Sequence, residues 1–348
     1  MSDDNLRLNV SLLRRRVPNL TSAAKAIGLR AATVSNLCTG KISVGKSEVR
    51  TLVALADLAG CSLDELIIRG EKMEMIETKI KTLDLFAPLA KGGTVGLVAR
   101  KNMGQLVVLS ELFFRLKNEG FTTILLLPKG DYPELSDVLE NTEMTTQSIE
   151  ETYEKIASLG VENEIAFAAD RSHVVSGQIY EMQERLQQIG MDSITTFLLD
   201  LTGDVMDEDL PFGPLETLWQ FDADLSARHC YPAVDPISST SSVLEGAHMD
   251  QNHFFIQQRA QKLLRRYREL RSLVNVNGIE KLPAAELQTY KRGERLEAYM
   301  TQPFYVAEEF TGKKGESVSL QETLKGVQAI LDGAMDTKDV EELLYVGK

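Results

Sequence analysis

One loop between two apolar segments has residue types and spacing suited to nucleotide chemistry. Residues 92–109 read GGTVGLVARKNMGQLVVL. The small and apolar residues at 94–98 predict a buried strand, and the apolar spacing after Gly104 predicts a helix. A strand, a tight loop and a helix are the setting of the pattern G-x-x-x-x-G-K-[ST], whose backbone amides and lysine hold nucleotide phosphates.

The frame of this pattern runs from Ala99 to Leu106 and lacks most of the groups that react. Gly104 is present, but Ala99 replaces the first glycine, Gln105 the lysine and Leu106 the hydroxyl residue. Phosphoryl transfer needs the lysine on the β and γ phosphates and the hydroxyl group on Mg²⁺. Since Gln105 carries no positive charge and Leu106 cannot hold a metal, we expect that ATP is not hydrolysed.

Further segments, in order along the chain, resemble the catalytic beta subunit of rotary ATP synthases. These segments are 77–93 (ETKIKTLDLFAPLAKGG), 231–241 (YPAVDPISSTS), 301–312 (TQPFYVAEEFTG) and 318–333 (VSLQETLKGVQAILDG). With the loop they cover most of residues 77–335. The resemblance implies a degenerate RecA-like α/β domain at residues 71–245 and a helical C-terminal domain at 246–348.

Alternating apolar runs and helical patterns give the same fold class. Strands are predicted at 94–98, 122–127, 165–169 and 194–199, and helices at 105–118, 147–159 and 173–189. Strands that alternate with helices predict a parallel sheet with right-handed crossovers. The expected fold class is therefore α/β with an additional all-α N-terminal domain.

The resemblance also implies where the other catalytic groups would stand. The glutamate of the family follows the next strand in a Gly-Glu-Arg motif, where this chain has Pro-Lys-Gly and Lys129. Asp200 matches the aspartate that holds Mg²⁺ in the family. Alternatively, Asp200 is a carboxylate that accepts backbone hydrogen bonds at a strand end. We expect no catalytic residues and no metal.

A base-binding slot is implied by the aromatic residues of the same motifs. In the family these motifs hold adenine, and Tyr231, Phe304, Ala307 and Phe310 stand at the matching positions. Stacking of a base on an aromatic ring contributes about 1–3 kcal/mol. The alternative is that these residues only pack in the core between two domains.

Cations near the degenerate loop favour a retained anionic ligand. Arg100 and Lys101 lie in the loop with Gly104 and Gln105, and Lys129 replaces an acid. Together with Asp200 they define a candidate phosphate site that would bind an adenine nucleotide, or a related adenine-containing ligand, without Mg²⁺. The alternative is that the charges are solvated loop residues.

Charge is distributed unevenly. The net charge is −13, but residues 1–60 contain nine Lys and Arg against four Asp and Glu, a surplus of five positive charges that leaves −18 on the rest. A basic segment on an acidic body is typical of a nucleic-acid-binding arm. Three scattered cysteines without C-x-x-C spacing, and no bilayer-length apolar run, predict a cytoplasmic protein without disulfides, zinc or membrane contact.

The basic segment shows a series of short helical patterns, followed by a charged linker at 69–78. Helices are predicted at 5–16, 20–27, 30–38, 47–59 and 62–67, with Gly28 in a turn and Ser47 as a helix cap. Residues 23–41 and 55–67 resemble the Cro/repressor-type helix-turn-helix. The resemblance implies a DNA-binding domain at residues 1–70.

Residues 30–37 would then be the recognition helix in the major groove. Its small and polar residues, Ala31 among them, can reach base edges: Arg30 suits guanine, Asn36 suits adenine, and Thr33 and Ser35 suit either contact. Lys41 and Lys46 would contact phosphates, which position the protein without reading sequence. The alternative is a small helical module that binds protein, since folds are reused without their function.

These patterns together predict a DNA-binding transcriptional regulator. An inactive ATP-synthase-beta-like domain would form homo-oligomers, with a dimer favoured over a hexamer, and would sense an adenine-containing ligand that changes affinity for an operator in double-stranded DNA. The alternative is a nucleotide-binding scaffold whose helix-turn-helix binds another protein.

Overall fold

The chain contains two compact units, each with its own hydrophobic core. The computed structural model describes residues 6–9, 12–13, 16–17, 20–38, 42, 44–69, 74–130, 132–191, 193–204, 212, 215–245 and 250–347. The first unit comprises Met1–Glu74 with Ser242–Asp250, and the second comprises Met75–Ser241 with Gln251–Lys348. Buried side chains of each unit pack among themselves.

The first unit is a set of short helices completed by one pair of strands. Its helices are α1 (Leu20–Ala26), α2 (Ala31–Cys38), α3 (Val49–Ala59) and α4 (Leu63–Leu66). Strand β1 (Leu6–Leu8) pairs antiparallel with β2 (Ile67–Arg69). Leu13, Leu55 and Leu66 are fully buried in the core. Gly28 has φ +84° in the turn between α1 and α2, as predicted.

Three predictions for this unit were wrong. Residues 5–16 do not form one helix, because Leu6–Leu8 pairs as a strand and only later positions are helical. The unit is therefore not all-α. Ser47 does not cap α3, because the residue directly before this helix is Glu48, whose side chain makes no capping hydrogen bond. The amide of Ser47 instead donates to the carbonyl of Val44 at 3.1 Å.

The second unit is built on a mostly parallel sheet, which confirms the predicted α/β class. Its strands are β3 (Met75–Ile76), β4 (Leu89–Ala90), β5 (Thr94–Val98), β6 (Thr122–Leu126), β7 (Met144–Thr146), β8 (Ile165–Asp170), β9 (Ile194–Leu199), β10 (Thr217–Gln220) and β11 (Thr240–Ser241). Among the described residues, seven strands form one sheet in the order β11-β10-β5-β9-β8-β6-β7, and only β10–β11 is antiparallel. Strands β3 and β4 form a separate antiparallel pair.

Helices cover both faces of the sheet. They are α5 (Lys81–Phe86), α6 (Gln105–Asn118), α7 (Ser136–Glu140), α8 (Ile149–Leu159), α9 (Arg171–Val175), α10 (Gln178–Gln188) and α11 (Ala223–Ala227). Side chains alternate between two cores, so that Leu97 packs in one and Val98 in the other. The predicted helix at 173–189 is two helices, interrupted at Gly177. The predicted linker at 69–78 contributes to β2 and β3 instead.

A helical region completes the second unit. Its helices are α12 (Gln251–Asn277), α13 (Ala284–Tyr299), α14 (Glu308–Thr311) and α15 (Leu320–Leu331). Helices α12 and α13 approach so closely that a β-carbon on Gly293 would lie 2.3 Å from the Cβ of Tyr267. Buried residues of α12, α13 and α15 share a core with Leu85 and Phe86 of α5, which joins this region to the sheet.

Candidate functional site

The degenerate phosphate loop keeps the backbone setting of its pattern. It follows β5, in which every residue is buried, and leads into α6, whose bounds match the predicted helix. Gly104 immediately precedes α6 with φ +90°, a left-handed conformation that glycine adopts without steric cost. No side chain caps the N-terminus of α6. Its first amides are therefore open to a ligand.

A cleft of about 920 Å³ lies against this N-terminus. All four residues of the predicted base slot line it: Tyr231, Phe304, Ala307 and Phe310. Three of the six predicted phosphate-site residues line it as well: Lys101, Gly104 and Gln105. The fold thus brings together two groups of residues that are far apart in the sequence.

The aromatic residues that line the cleft differ in how much of each side chain is exposed. The Tyr231 ring lies 3.4 Å from the position of a β-carbon on Gly104, so ring and loop are in contact. Phe304 is 5 % exposed and packs in the core, whereas Phe310 is 84 % exposed. A base in the cleft would meet the half-buried ring of Tyr231 and the exposed ring of Phe310, because Phe304 is covered by the core.

A buried ion pair on α6 holds the segment that carries two of these aromatic residues. Arg115 Nε donates to Glu111 Oε1 at 2.7 Å, and the two side chains are 7 % and 0 % exposed. The second oxygen of Glu111 accepts from the amide of Val306 at 3.1 Å. Arg115 also donates to the carbonyl of Glu316 at 2.7 Å and the hydroxyl of Ser317 at 3.0 Å. Both sides of residues 303–317 are thereby fixed to the helix that begins at the phosphate loop.

Residues 343–347 supply a further wall. Tyr345 lines the cleft, and its hydroxyl accepts from the amide of Tyr231 at 3.4 Å. The next residue, Val346, accepts a hydrogen bond at 2.6 Å from Lys81 Nζ, which also lies over the ring of Tyr299. Burial lowers the pKa of Lys81 to about 7. The segment is therefore held by a lysine that loses part of its charge near neutral pH.

The other three predicted phosphate-site residues lie outside the cleft lining: Arg100, Lys129 and Asp200. Arg100 and Lys129 are exposed. Asp200 is 3 % exposed and accepts hydrogen bonds from the amide and hydroxyl of Thr202 at 2.9 and 2.6 Å. This arrangement corresponds to the alternative stated for Asp200 in the sequence analysis, namely a carboxylate that accepts hydrogen bonds at the end of a strand.

The charges that line the cleft are balanced. Lys101 and Lys313 are its cations, and Glu134 and Asp137 are its carboxylates, within the residues that the structure describes. Gln105 also lines the cleft and is 5 % exposed, and within the described part of the chain its side-chain amide has no hydrogen-bond partner. A side-chain amide can both donate and accept hydrogen bonds. A ligand in the cleft would supply the missing hydrogen bond.

Five of the predicted DNA-contacting residues lie on α2 of the first unit or directly before it, and Lys46 lies in the short turn Val44–Lys46. The described ones are Arg30, Ala31, Thr33, Ser35, Asn36 and Lys46. Arg30 and Lys46 are exposed, whereas Val34 and Leu37 of α2 are buried in the core. Lys41 lies outside the described residues.

Sequence reasoning missed the polar residues that hold the site: Glu111, Arg115, Gln302 and Tyr345. A signal existed for the first two, since opposite charges four residues apart on an apolar helix indicate a pair. Gln302 had none, although its buried amide donates to the carbonyls of Lys79 and Glu316. Its partners are known only once the chain has folded.

Two comparisons relate this arrangement to known proteins. The family described as the C-terminal domain of V and A type ATP synthase matches residues 244–338. A solved structure, a unique ATP synthase subunit called NeqB from Nanoarcheaum equitans, has a similar fold, with a TM-score of 0.58 and 14 % identity over 76 % of this chain and 78 % of that chain. The chain thus has a fold similar to that of an ATP synthase subunit, and its C-terminal helical region matches the V and A type family. The family match does not include the N-terminal helices, and their resemblance to a helix-turn-helix stays a prediction.

Among the helices in the described ranges, none has both the length and the apolar character required to cross a membrane.

Proposed function

We propose that this protein is a nucleotide-binding scaffold of the ATP-synthase-subunit type that does not hydrolyse its ligand. The observation that supports this proposal is that two groups of residues line the same cleft: the aromatic residues of the base slot, and Gly104 and Gln105 of the loop. A stacking surface next to an uncapped helix N-terminus suits a planar base that carries an anionic group.

Hydrolysis is not part of this proposal, because the reacting groups are absent from the cleft. Gln105 and Leu106 replace the lysine and the hydroxyl residue, and Asp200 is outside the lining. Nothing in this set stabilises a transferring phosphoryl group or positions water. The protein would hold a nucleotide as a structural or regulatory ligand. Its partners would be copies of itself or similar subunits, and its N-terminal unit would bind another protein.

The test is a thermal-shift and calorimetry series with adenosine and guanosine nucleotides on the full chain. A ligand that binds only the folded state raises the melting temperature by mass action. Adenine compounds should raise it, and Tyr231→Ala should abolish the shift. Tyr153→Ala is the matched control, since Tyr153 stacks on Arg185 outside the cleft. If no adenine compound binds, the proposal fails.

The lack of hydrolysis has its own assay. Phosphate release from ATP should equal the background in both the natural sequence and Asp200→Ala. Release that Asp200→Ala removes would mean that the site retains catalysis and would refute this part of the proposal.

A second candidate, a DNA-binding regulator, is favoured by one feature of the first unit. Helices α1 and α2 are joined by a short turn at Gly28, and Arg30 is exposed at the start of α2. Binding to DNA through Arg30 and Lys46 would weaken steeply with salt, because counterions are released. Fluorescence anisotropy with random and genomic DNA duplexes at two salt concentrations tests this. No salt-dependent binding would exclude the second candidate and leave the N-terminal unit as a protein-binding module.

A further inference from the structure

The turn that follows Asp200 packs on the phosphate loop. A β-carbon on Gly203 would lie 2.9 Å from the amide nitrogen of Lys101 and 3.3 Å from Cα of Arg100, so the turn after β9 packs directly on the loop. The amide of Arg100 donates to the sulfur of Met103 at 3.1 Å, and Met103 is buried. In phosphate-loop proteins Mg²⁺ lies between the loop and this aspartate. Here the turn at Gly203 packs against the backbone of the loop at Arg100 and Lys101.

The opposite side of the loop is open. There the first turn of α6 faces the cleft without a side-chain cap, and Lys101 contributes one cation. Gln105 is a second observation at this place, independent of the helix end. The residue is 5 % exposed and lines the cleft, and its side-chain amide has no hydrogen-bond partner within the described residues.

We infer that the cleft takes an adenine nucleoside monophosphate without a divalent cation, and that it discriminates against ATP with Mg²⁺. The inference rests on the proposed nucleotide-binding function and narrows its ligand. A phosphate monoester carries about −1.5 to −2 charges at pH 7 and offers three acceptor oxygens. The amides of α6, the Gln105 amide and Lys101 supply donors for one such group.

A longer phosphate chain would be repelled by negative charges in the cleft. Beyond Lys101 and Lys313, the lining of the cleft contains the carboxylates of Glu134 and Asp137. These carboxylates would repel additional phosphates, because the described lining offers two cations against two carboxylates. Their oxygens instead suit the hydroxyl groups of a ribose, which donate hydrogen bonds.

The experiment is calorimetric titration of the full chain with adenosine, AMP, ADP and ATP, each in EDTA and in excess MgCl₂. AMP should bind at least about tenfold more tightly than adenosine, as expected when charge-assisted hydrogen bonds form. ATP should bind more weakly than AMP, and Mg²⁺ should change none of these affinities. Lys101→Ala should lower the affinity for AMP several-fold and leave that for adenosine unchanged. Lys117→Ala is the control, because Lys117 is an exposed cation at the far end of α6.

Two results would overturn the inference while leaving the proposed function intact. One is equal affinity for AMP and adenosine, which would mean that no anion site exists. The other is ATP binding that is tighter than AMP binding and requires Mg²⁺. By contrast, the absence of binding by all four compounds would refute the proposed function itself.

Discussion

Arg115→Met is the substitution that most directly tests how the cleft is held. Arg115 pairs with Glu111 inside the second unit, and its other donors reach carbonyl and hydroxyl groups of Lys79, Glu316 and Ser317. Methionine keeps much of the packing volume and removes all of these bonds. The carboxylate of Glu111, which is 0 % exposed, is left without its cation.

The expected cost follows from that burial. Removing one partner of a buried ion pair costs about 3–5 kcal/mol, because the remaining charge is unpaired in a medium that solvates it poorly. Domains of this kind are stable by about 5–15 kcal/mol. The variant should therefore fold but with a markedly lower free energy of unfolding. Replacing Glu111 as well, in Glu111→Leu/Arg115→Met, removes the stranded charge and should restore part of the loss.

The assay uses the natural fluorescence of the unit. The chain has one tryptophan, Trp219, which is fully buried in the second unit and donates to the carbonyl of Ala87 at 2.8 Å. Its emission during urea unfolding reports on the second unit. Lys155→Met is the matched control, because Lys155 and Glu151 have the same four-residue spacing but are 34 % and 40 % exposed. Screening by water should make that change much smaller.

Two results would contradict the expected cost of Arg115→Met. One is a loss below about 1 kcal/mol in Arg115→Met, which would mean that Glu111 finds other solvation. The other is a double variant that is no more stable than the single one. A folded Arg115→Met variant should also bind adenine ligands more weakly, since the segment that carries Phe304 and Phe310 loses its anchor.

Three further predictions concern backbone, packing and pH. Gly104→Ala should lower the free energy of unfolding by about 1–2 kcal/mol because of its positive φ, and it should weaken adenine binding because the new methyl group contacts the ring of Tyr231. Gly160, at φ +83° with open space around it, is the control: Gly160→Ala should lower stability and leave adenine binding unchanged in parallel melting and titration experiments. Gly293→Ala should reduce the melting temperature sharply, because the new methyl group would lie 2.3 Å from the Cβ of Tyr267; an unchanged melting curve would contradict this. The free energy of unfolding should rise as pH increases from about 7 towards 10.5, because Lys81 still binds a proton in the unfolded chain after the folded protein has released it. Lys81→Met should remove this dependence on pH in urea titrations.

Long apolar patterns predicted the core elements of the second unit well. The bounds of β5, β9 and α6 match the sequence expectation. Each is an extended run of apolar residues with one periodicity, so local preference and burial agree. Strand β10 was missed because only four residues pair there, and its register depends on β5.

The segment at 5–16 shows the opposite case. Its apolar spacing suits a helix, yet Leu6–Leu8 forms a strand with residues about sixty positions later. Pairing with a distant segment overrides the local preference. No reading of residues 5–16 alone reveals that partner.

For the candidate site, too, the sequence predicted one part and the structure was needed for the other. By itself, the sequence determined that the lysine and hydroxyl groups of a phosphate loop are missing at Gln105 and Leu106, because residue identity alone decides that chemistry. Only the tertiary structure decided which cations line the cleft: Lys101 does, whereas Lys129 does not. The same holds for the turn at Gly203, which packs on the loop across about a hundred residues of sequence. Chemistry is carried by single side chains, but access to a ligand depends on how distant segments pack.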